Sequence, residues 1–203
     1  MSIYAIKPKF QQLLSPIKLF CINNSITPTM LNTSGVVFST LAGVVLLFSN
    51  NYPLLNLSIP VLVLARTATN ALDGMVARET GVDSKWGIYL NELFDRVSDL
   101  ILFTLIVISG HGLVALSSTM LAMSVLVTFT GVLTQTAGGK RNNLGIMGKP
   151  DRMFVIGAIA VGDLLGIPNI WNIGLAIMVV GGMATVITRV KASYKELNHD
   201  TNN

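Results

Sequence analysis

Asn70, Asp73 and Ala77 recur at intervals of three and four, so on a helix they share one face, with Gly74 one turn from Asn70. Gly87, Asn91, Asp95 and Asp99 recur every four residues and form a second stripe. Carboxylates and amide oxygens that converge from two helices suit a hard cation, Mg²⁺ or Mn²⁺, which takes oxygen ligands, keeps waters and bridges to phosphate oxygens. Arg78 at the end of the first stripe, and Lys140, Arg141, Lys149 and Arg152 further on, are placed to contact phosphate. The chemistry expected of such a set is cation-assisted displacement at phosphorus. Glu92 lies beside the second stripe and is an auxiliary candidate. Arg66 and Asp99 read equally well as an ion pair about 10 Å below the site, judged from the helical rise. Polar groups in apolar helices also serve simply to hold a bundle together, and Lys140 and Arg141 also serve as topology signals.

These stripes need helices to carry them, and the chain supplies long apolar ones. Only 12% of its 203 residues are charged and 51% are hydrophobic, whereas a soluble domain carries about 25% charged residues; the mean hydropathy is +0.63. The expectation is an all-α integral membrane protein forming a single domain over residues 1–203. Six spans are predicted near 31–49, 54–78, 86–109, 113–136, 150–166 and 169–188, the fifth being short for the roughly 20 residues a crossing needs. Residues 3–24 read as an amphipathic helix lying in the interface, broken by Pro8 and Pro16. Thr27 before Pro28 suits a helix start, and the tail after residue 188 is expected to fray.

With six spans, one side receives Lys7, Lys9, Lys18, Arg78, Lys85, Lys140, Arg141, Lys149, Arg152, Arg189, Lys191 and Lys195, and the other side no Lys or Arg. That places both termini, and the open end of the site, in the cytoplasm. The second and third spans are expected to form an antiparallel hairpin, with Asp73 near the level of Asn91, Asn70 near Asp95 and Arg66 near Asp99. The remaining features are quieter. The N-terminus does not look like a signal peptide. Cys21 is the lone cysteine and reads as a small buried side chain, while His111 and His199 have no assigned role. Asp163 is expected at the far interface. No basic patch with interleaved aromatics points to nucleic acid.

The string Asn70-x-x-Asp73-Gly74-x-x-Ala77-Arg78, eight residues, Gly87-x-x-x-Asn91-x-x-x-Asp95 resembles the motif of the CDP-alcohol phosphotransferases, DxxDGxxARx8GxxxDxxxD. Spacing is kept throughout, and Asn70 and Asn91 stand where that family has its first and third aspartates. The resemblance covers essentially the whole chain. It implies a membrane transferase of phospholipid biosynthesis that moves a substituted phosphate from a CDP-alcohol, often CDP-diacylglycerol, to a small alcohol or alcohol-phosphate acceptor and releases CMP. It also implies a homodimer in an inner (cytoplasmic) membrane, with one or two Mg²⁺ or Mn²⁺ ions. Carried over residue by residue, Asp95 is the base as well as a metal ligand, Asp73 is a metal ligand, and Asn70 and Asn91 occupy ligand positions. Asp73, Gly74, Ala77, Arg78 and Gly87 would frame the nucleotide and diphosphate. Lys149, Arg152, Lys140 and Arg141 would hold a phosphorylated acceptor.

The two asparagines remove two negative charges. Three readings stay open: an active divergent subgroup using one metal with help from Glu92 or Asp99, a catalytically impaired relative that binds CDP-lipid, or asparagines introduced by engineering. The first is preferred. A membrane transporter or binding protein is the rival from another class. It should show polar residues at mid-membrane in several helices, whereas polarity here is confined to one hairpin.

Overall fold

The computed structural model describes residues 7–81 and 84–199; residues 3–6 of the expected interfacial segment and 200–203 of the tail lie outside the described residues. Regular structure among them is helical: α1 (Lys7–Leu13), α2 (Ser15–Asn23), α3 (Pro28–Ser49), a 3₁₀ turn (Pro53–Leu57), α4 (Ser58–Thr80), α5 (Lys85–Ser109), α6 (Val114–Thr136), α7 (Lys149–Leu164) and α8 (Ile170–His199). The boundaries have local causes. Thr27 Oγ1 accepts the Met30 N–H at 3.2 Å, with Pro28 opening α3 as expected. Ser84 Oγ accepts the Gly87 N–H at 2.9 Å and starts α5. Gly81 and Gly110 end α4 and α5 in the left-handed region, at φ of +66° and +72°.

Pro8 and Pro16 each occupy the second position of a helix. They therefore begin α1 and α2 rather than interrupt one helix, and the break falls at Leu14. Leu14 and Cys21 are buried with Leu31, Leu72 and Val76, and Lys18 Nζ pairs with Glu79 at 2.9 Å, which fastens this segment to α4. Leu13, Ile17, Leu19 and Phe20 face outward.

The six long helices close a ring. α3 packs on α4 and on α5, α5 on α6, α6 on α8, α8 on α7, and α7 returns to α4. The expected α4–α5 pair meets through the Arg66 and Asp99 side chains, but the two helices stand apart, with no backbone contact among the described residues. α3 lies between them and offers small residues to both. A Cβ on Gly35 would lie 3.0 Å from Asn70 Oδ1 on α4, and one on Gly43 would collide with Leu105 on α5. Leu46, Ile59, Ile106, Met120, Ile156 and Leu175, one from each helix, are fully buried and belong to the one core that plugs the ring. The end where α4 stops and α5 and α7 start stays open.

The outside is apolar: Val37, Leu41, Val44 and Phe48 of α3, Val61 and Leu64 of α4, and Ile173, Ile177, Val180 and Ile187 of α8 are exposed. Four segments among the described residues are long and apolar enough to cross a membrane: Pro28–Ser49, Pro53–Thr80, Val114–Thr136 and Ile170–Asn198. The chain is thus an integral membrane protein. α5 has the length, at 25 residues, but carries Glu92, Asp95, Arg96 and Asp99, and α7 has 16 residues.

The tail corrects expectation as well. α8 does not fray at residue 188 but runs on to His199. Its extension has partners: Ser193 Oγ lies 2.5 Å from Thr134 Oγ1, and Glu196 Oε1 accepts the Lys140 N–H at 2.6 Å. At the far end His111 Nε2 meets Ser49 Oγ at 2.7 Å and stacks on Trp171, and Asp163 accepts from Asn56 at 2.9 Å. His111 thus has partners the sequence did not suggest, and both contacts tie turns together.

Candidate active site

Inside the open end of the ring lies a cavity of about 990 Å³, lined from α1, α4, α5, α6, α7, α8 and the 137–148 connection, at the upper limit of the roughly 300–1,000 Å³ usual for ligand sites. Both stripes reach it, as the spacing predicts: Asn70, Asp73, Gly74 and Arg78 from α4, Asn91 and Asp95 from α5. Arg66, Arg141, Lys149 and Arg152 line it too. Ala77, Gly87, Glu92 and Asp99 do not. Lys140 lines a second hollow of about 300 Å³ that shares Arg141 and Asn143 with the first.

Asp73 is 3% exposed. Its Oδ1 accepts the Gly74 N–H, and its Oδ2 is buried with no hydrogen-bond partner. Asp95 faces it with a different environment: Lys149 Nζ bonds Asp95 Oδ1, and Arg96 Nη2 stands 3.9 Å from Oδ2. Lys149 is the first residue of α7, and Asp151 Oδ2 accepts the Gly148 N–H at 2.9 Å to shape that helix start.

Below the carboxylates lies a buried triad. Asp99 receives Arg66 on Oδ1 and Arg152 Nη2 on Oδ2, the latter at 3.0 Å. The Arg66–Asp99 pairing follows the expected levels. Arg152 is fully buried and also donates to the Met147 carbonyl, so it forms the cavity floor. At the rim Arg141 pairs with Glu92, joining the 137–148 connection to α5.

That connection is strapped to α8. Asn142 Nδ2 donates to the Arg189 carbonyl at 3.1 Å, Arg189 Nε to the Leu144 carbonyl at 2.9 Å, and Thr185 Oγ1 accepts the Met147 N–H at 2.9 Å. Arg189 is buried and lines the cavity, as does Arg96. Arg96 lies in the polar stretch that carries the site, whereas Arg189 is read from the sequence only as a topology signal. A signal for Arg189 was present, since Thr185, Arg189 and Ser193 repeat every four residues as the α5 stripe does.

The lining therefore holds seven cationic side chains, Arg66, Arg78, Arg96, Arg141, Lys149, Arg152 and Arg189, against Asp73 and Asp95, with Asp99 and Glu92 behind it pairing three of the seven, which still leaves the cations in excess. Such an excess in a walled cleft focuses a positive potential and suits a ligand with several phosphate charges. A divalent ion fits the same place on narrower grounds. No group of three or more His, Cys, Asp or Glu able to hold a metal assembles among the described residues. Asp73 Oδ2 nevertheless lacks a partner, and the amides of Asn70 and Asn91 line the same cavity. This is an all-oxygen donor set of the kind Mg²⁺ and Mn²⁺ accept.

Comparison with known proteins bears on the same features. The sequence profile of the CDP-alcohol phosphatidyltransferase family matches residues 25–188. The chain is 35% identical to inner membrane protein YnbA of Escherichia coli K12, over 77% of this chain and 78% of that one. It is 31% identical to the archaetidylinositol phosphate synthase of Pyrococcus horikoshii, over 95% of this chain and 96% of that one. Among solved structures it is similar to Mycobacterium tuberculosis phosphatidylinositol phosphate synthase with CDP-DAG bound, at a TM-score of 0.72 and 21% identity, over 90% and 94% of the two chains. The same enzyme in complex with manganese and citrate also gives 0.72, at 20% identity over 89% and 88%. At those identities the structural likeness shows the fold.

Proposed function

The chain belongs to the CDP-alcohol phosphatidyltransferase family, and we propose that it transfers the phosphatidyl group of a CDP-alcohol, CDP-diacylglycerol first among them, to a hydroxyl acceptor with release of CMP. The observation that carries this reading is the single cavity in which the two carboxylates, Asp73 and Asp95, stand among seven cations. A diphosphate and a second phosphate together supply the negative charge such a lining calls for. The one-sided distribution of Lys and Arg supports six spans with both termini and the cavity mouth in the cytoplasm, where nucleotide-linked substrates are found. An inner-membrane location agrees with the name of the Escherichia coli relative.

In this reading Asp73, with the Asn70 and Asn91 amides, would hold Mg²⁺ or Mn²⁺, which when bound offsets diphosphate charge and stabilises departing CMP. Asp73, Gly74 and Arg78 frame the diphosphate. The acceptor hydroxyl attacks the phosphatidyl phosphorus in line. The new O–P bond forms as the diphosphate P–O bond to CMP breaks, and the hydroxyl proton passes to Asp95. Lys149 holds Asp95 in place until then. Lys149, Arg152 and Arg141, with Lys140 at the adjoining hollow, hold the acceptor's phosphate. The name of the Pyrococcus relative makes an inositol phosphate the first acceptor to try.

The test is CMP release from CDP-diacylglycerol, with Mg²⁺ or Mn²⁺, across inositol phosphate, glycerol 3-phosphate and neutral alcohols. Release that depends on a phosphorylated acceptor supports the proposal. Because fewer than three acidic ligands meet in the cavity, the rival reading is a CDP-lipid binder without turnover. Binding of CDP-diacylglycerol with no CMP release under any acceptor would establish that instead.

A further inference from the structure

We propose that each chain takes up one divalent ion, on Asp73, and that the Lys149 ammonium is a built-in second cation occupying Asp95. The inference deepens the phosphatidyl-transfer reading and rests on it in one respect, that the substrate's diphosphate enters this cavity.

The two carboxylates are not equivalent. Asp95 is already neutralised by the protein, with Lys149 bonded to Oδ1 and Arg96 3.9 Å from Oδ2. Asp73 is buried, spends Oδ1 on the Gly74 N–H and leaves Oδ2 without a donor. A buried carboxylate oxygen left unpaired is costly, and a cation is the partner that relieves it. The other side-chain amides of the motif that line the cavity, Asn70 and Asn91, carry no charge. A divalent ion placed on Asp95 as well would put three positive charges, two from the ion and one from the ammonium, on one carboxylate, with only amides to share them. One divalent ion on Asp73 plus the ammonium on Asp95 avoids that repulsion and still leaves the cavity positive toward a diphosphate.

The position of Lys149 argues that the pairing is specific. It is the first residue of α7, where the helix dipole disfavours a cation. It is held there by a partner on α5, a helix that α7 does not otherwise touch at the backbone among the described residues. The protein tolerates an unfavourable local site to put an ammonium on this carboxylate.

The experiment is a Mn²⁺ titration of the full-length protein in lipid nanodiscs, with free Mn²⁺ read from its paramagnetic resonance signal. The expected count is one Mn²⁺ per chain. Asp73→Asn should weaken uptake at least tenfold. Lys149→Met should either raise the count toward two or tighten binding at least tenfold, because Asp95 is then released, whereas Lys149→Arg should keep the count at one. A wild-type count of two or of zero overturns the inference. So does a folded Lys149→Met protein whose count and affinity match wild type. If Lys149→Met does not fold, the wild-type count and the Lys149→Arg count decide. Turnover is measured separately, so a protein that releases CMP yet binds two Mn²⁺ loses this inference and keeps the transferase reading.

Discussion

Asp99→Asn is the most informative single change, because Asp99 is a buried carboxylate joining three members of the ring. It is 1% exposed and accepts Arg66 from α4 and Arg152 from α7 on its two oxygens. Arg152 lies at 3.0 Å, where an effective dielectric of about 20 gives roughly 5 kcal/mol of attraction. Desolvation of the ions offsets most of that gain, so the useful magnitude is the cost of leaving the arginines without their counter-charge. Arginine does not deprotonate to escape. Breaking a buried pair by removing one partner costs about 3–5 kcal/mol. A polar contact between membrane helices that is no more than a hydrogen bond averages about 0.6 kcal/mol. The two cases are far enough apart to separate by unfolding in mixed detergent micelles, where Asp99→Asn should lose about 3–5 kcal/mol. In the Arg66→Met background the same substitution should cost less, since one of the stranded cations is gone. A loss below about 1 kcal/mol in the wild-type background would refute the claim that an ionised triad forms the cavity floor.

Further outcomes are expected. Asp95→Asn should lower kcat for CMP release by about 10²–10⁴-fold, the usual worth of a general base, while CDP-diacylglycerol binding persists in an equilibrium assay. Gly131→Ala should cost about 1–3 kcal/mol and slow transfer, because the added Cβ would lie 2.5 Å from the Asn142 carbonyl and push away the connection that carries Arg141; an unchanged thermal midpoint would count against that strapping. Thr27→Ala should lose about 1 kcal/mol through its missing N-cap bond, with CMP release per folded molecule unaltered. Glu92→Gln at the rim, a half-exposed pair with Arg141, should change stability by less than about 1 kcal/mol, as read by the same unfolding titration.

What could be read from the chain alone was local. The four-residue stripe from Gly87 to Asp99 and the Asn70–Asp73–Gly74 face follow from helical periodicity, and both reach the cavity. The pairing of Arg66 with Asp99 followed from counting residues back from a shared turn. Thr27–Pro28 marked a helix start because its capping preference acts within a few residues; the caps at Gly81 and Ser84 became visible only in the structure.

Tertiary structure decided what no short stretch encodes. The wedge of α3 between α4 and α5, the return of α7 onto α4, and the reach of Arg152 and Arg189 into the interior depend on which distant surfaces fit. That fit is set by small residues such as Gly35 and Gly43 meeting particular side chains across the ring. In the sequence Lys149 is a candidate phosphate contact with no visible carboxylate partner. Only when the ring closes does its ammonium fall on Asp95, because pairing between residues 54 positions apart is fixed by packing geometry and leaves no periodic trace in the sequence.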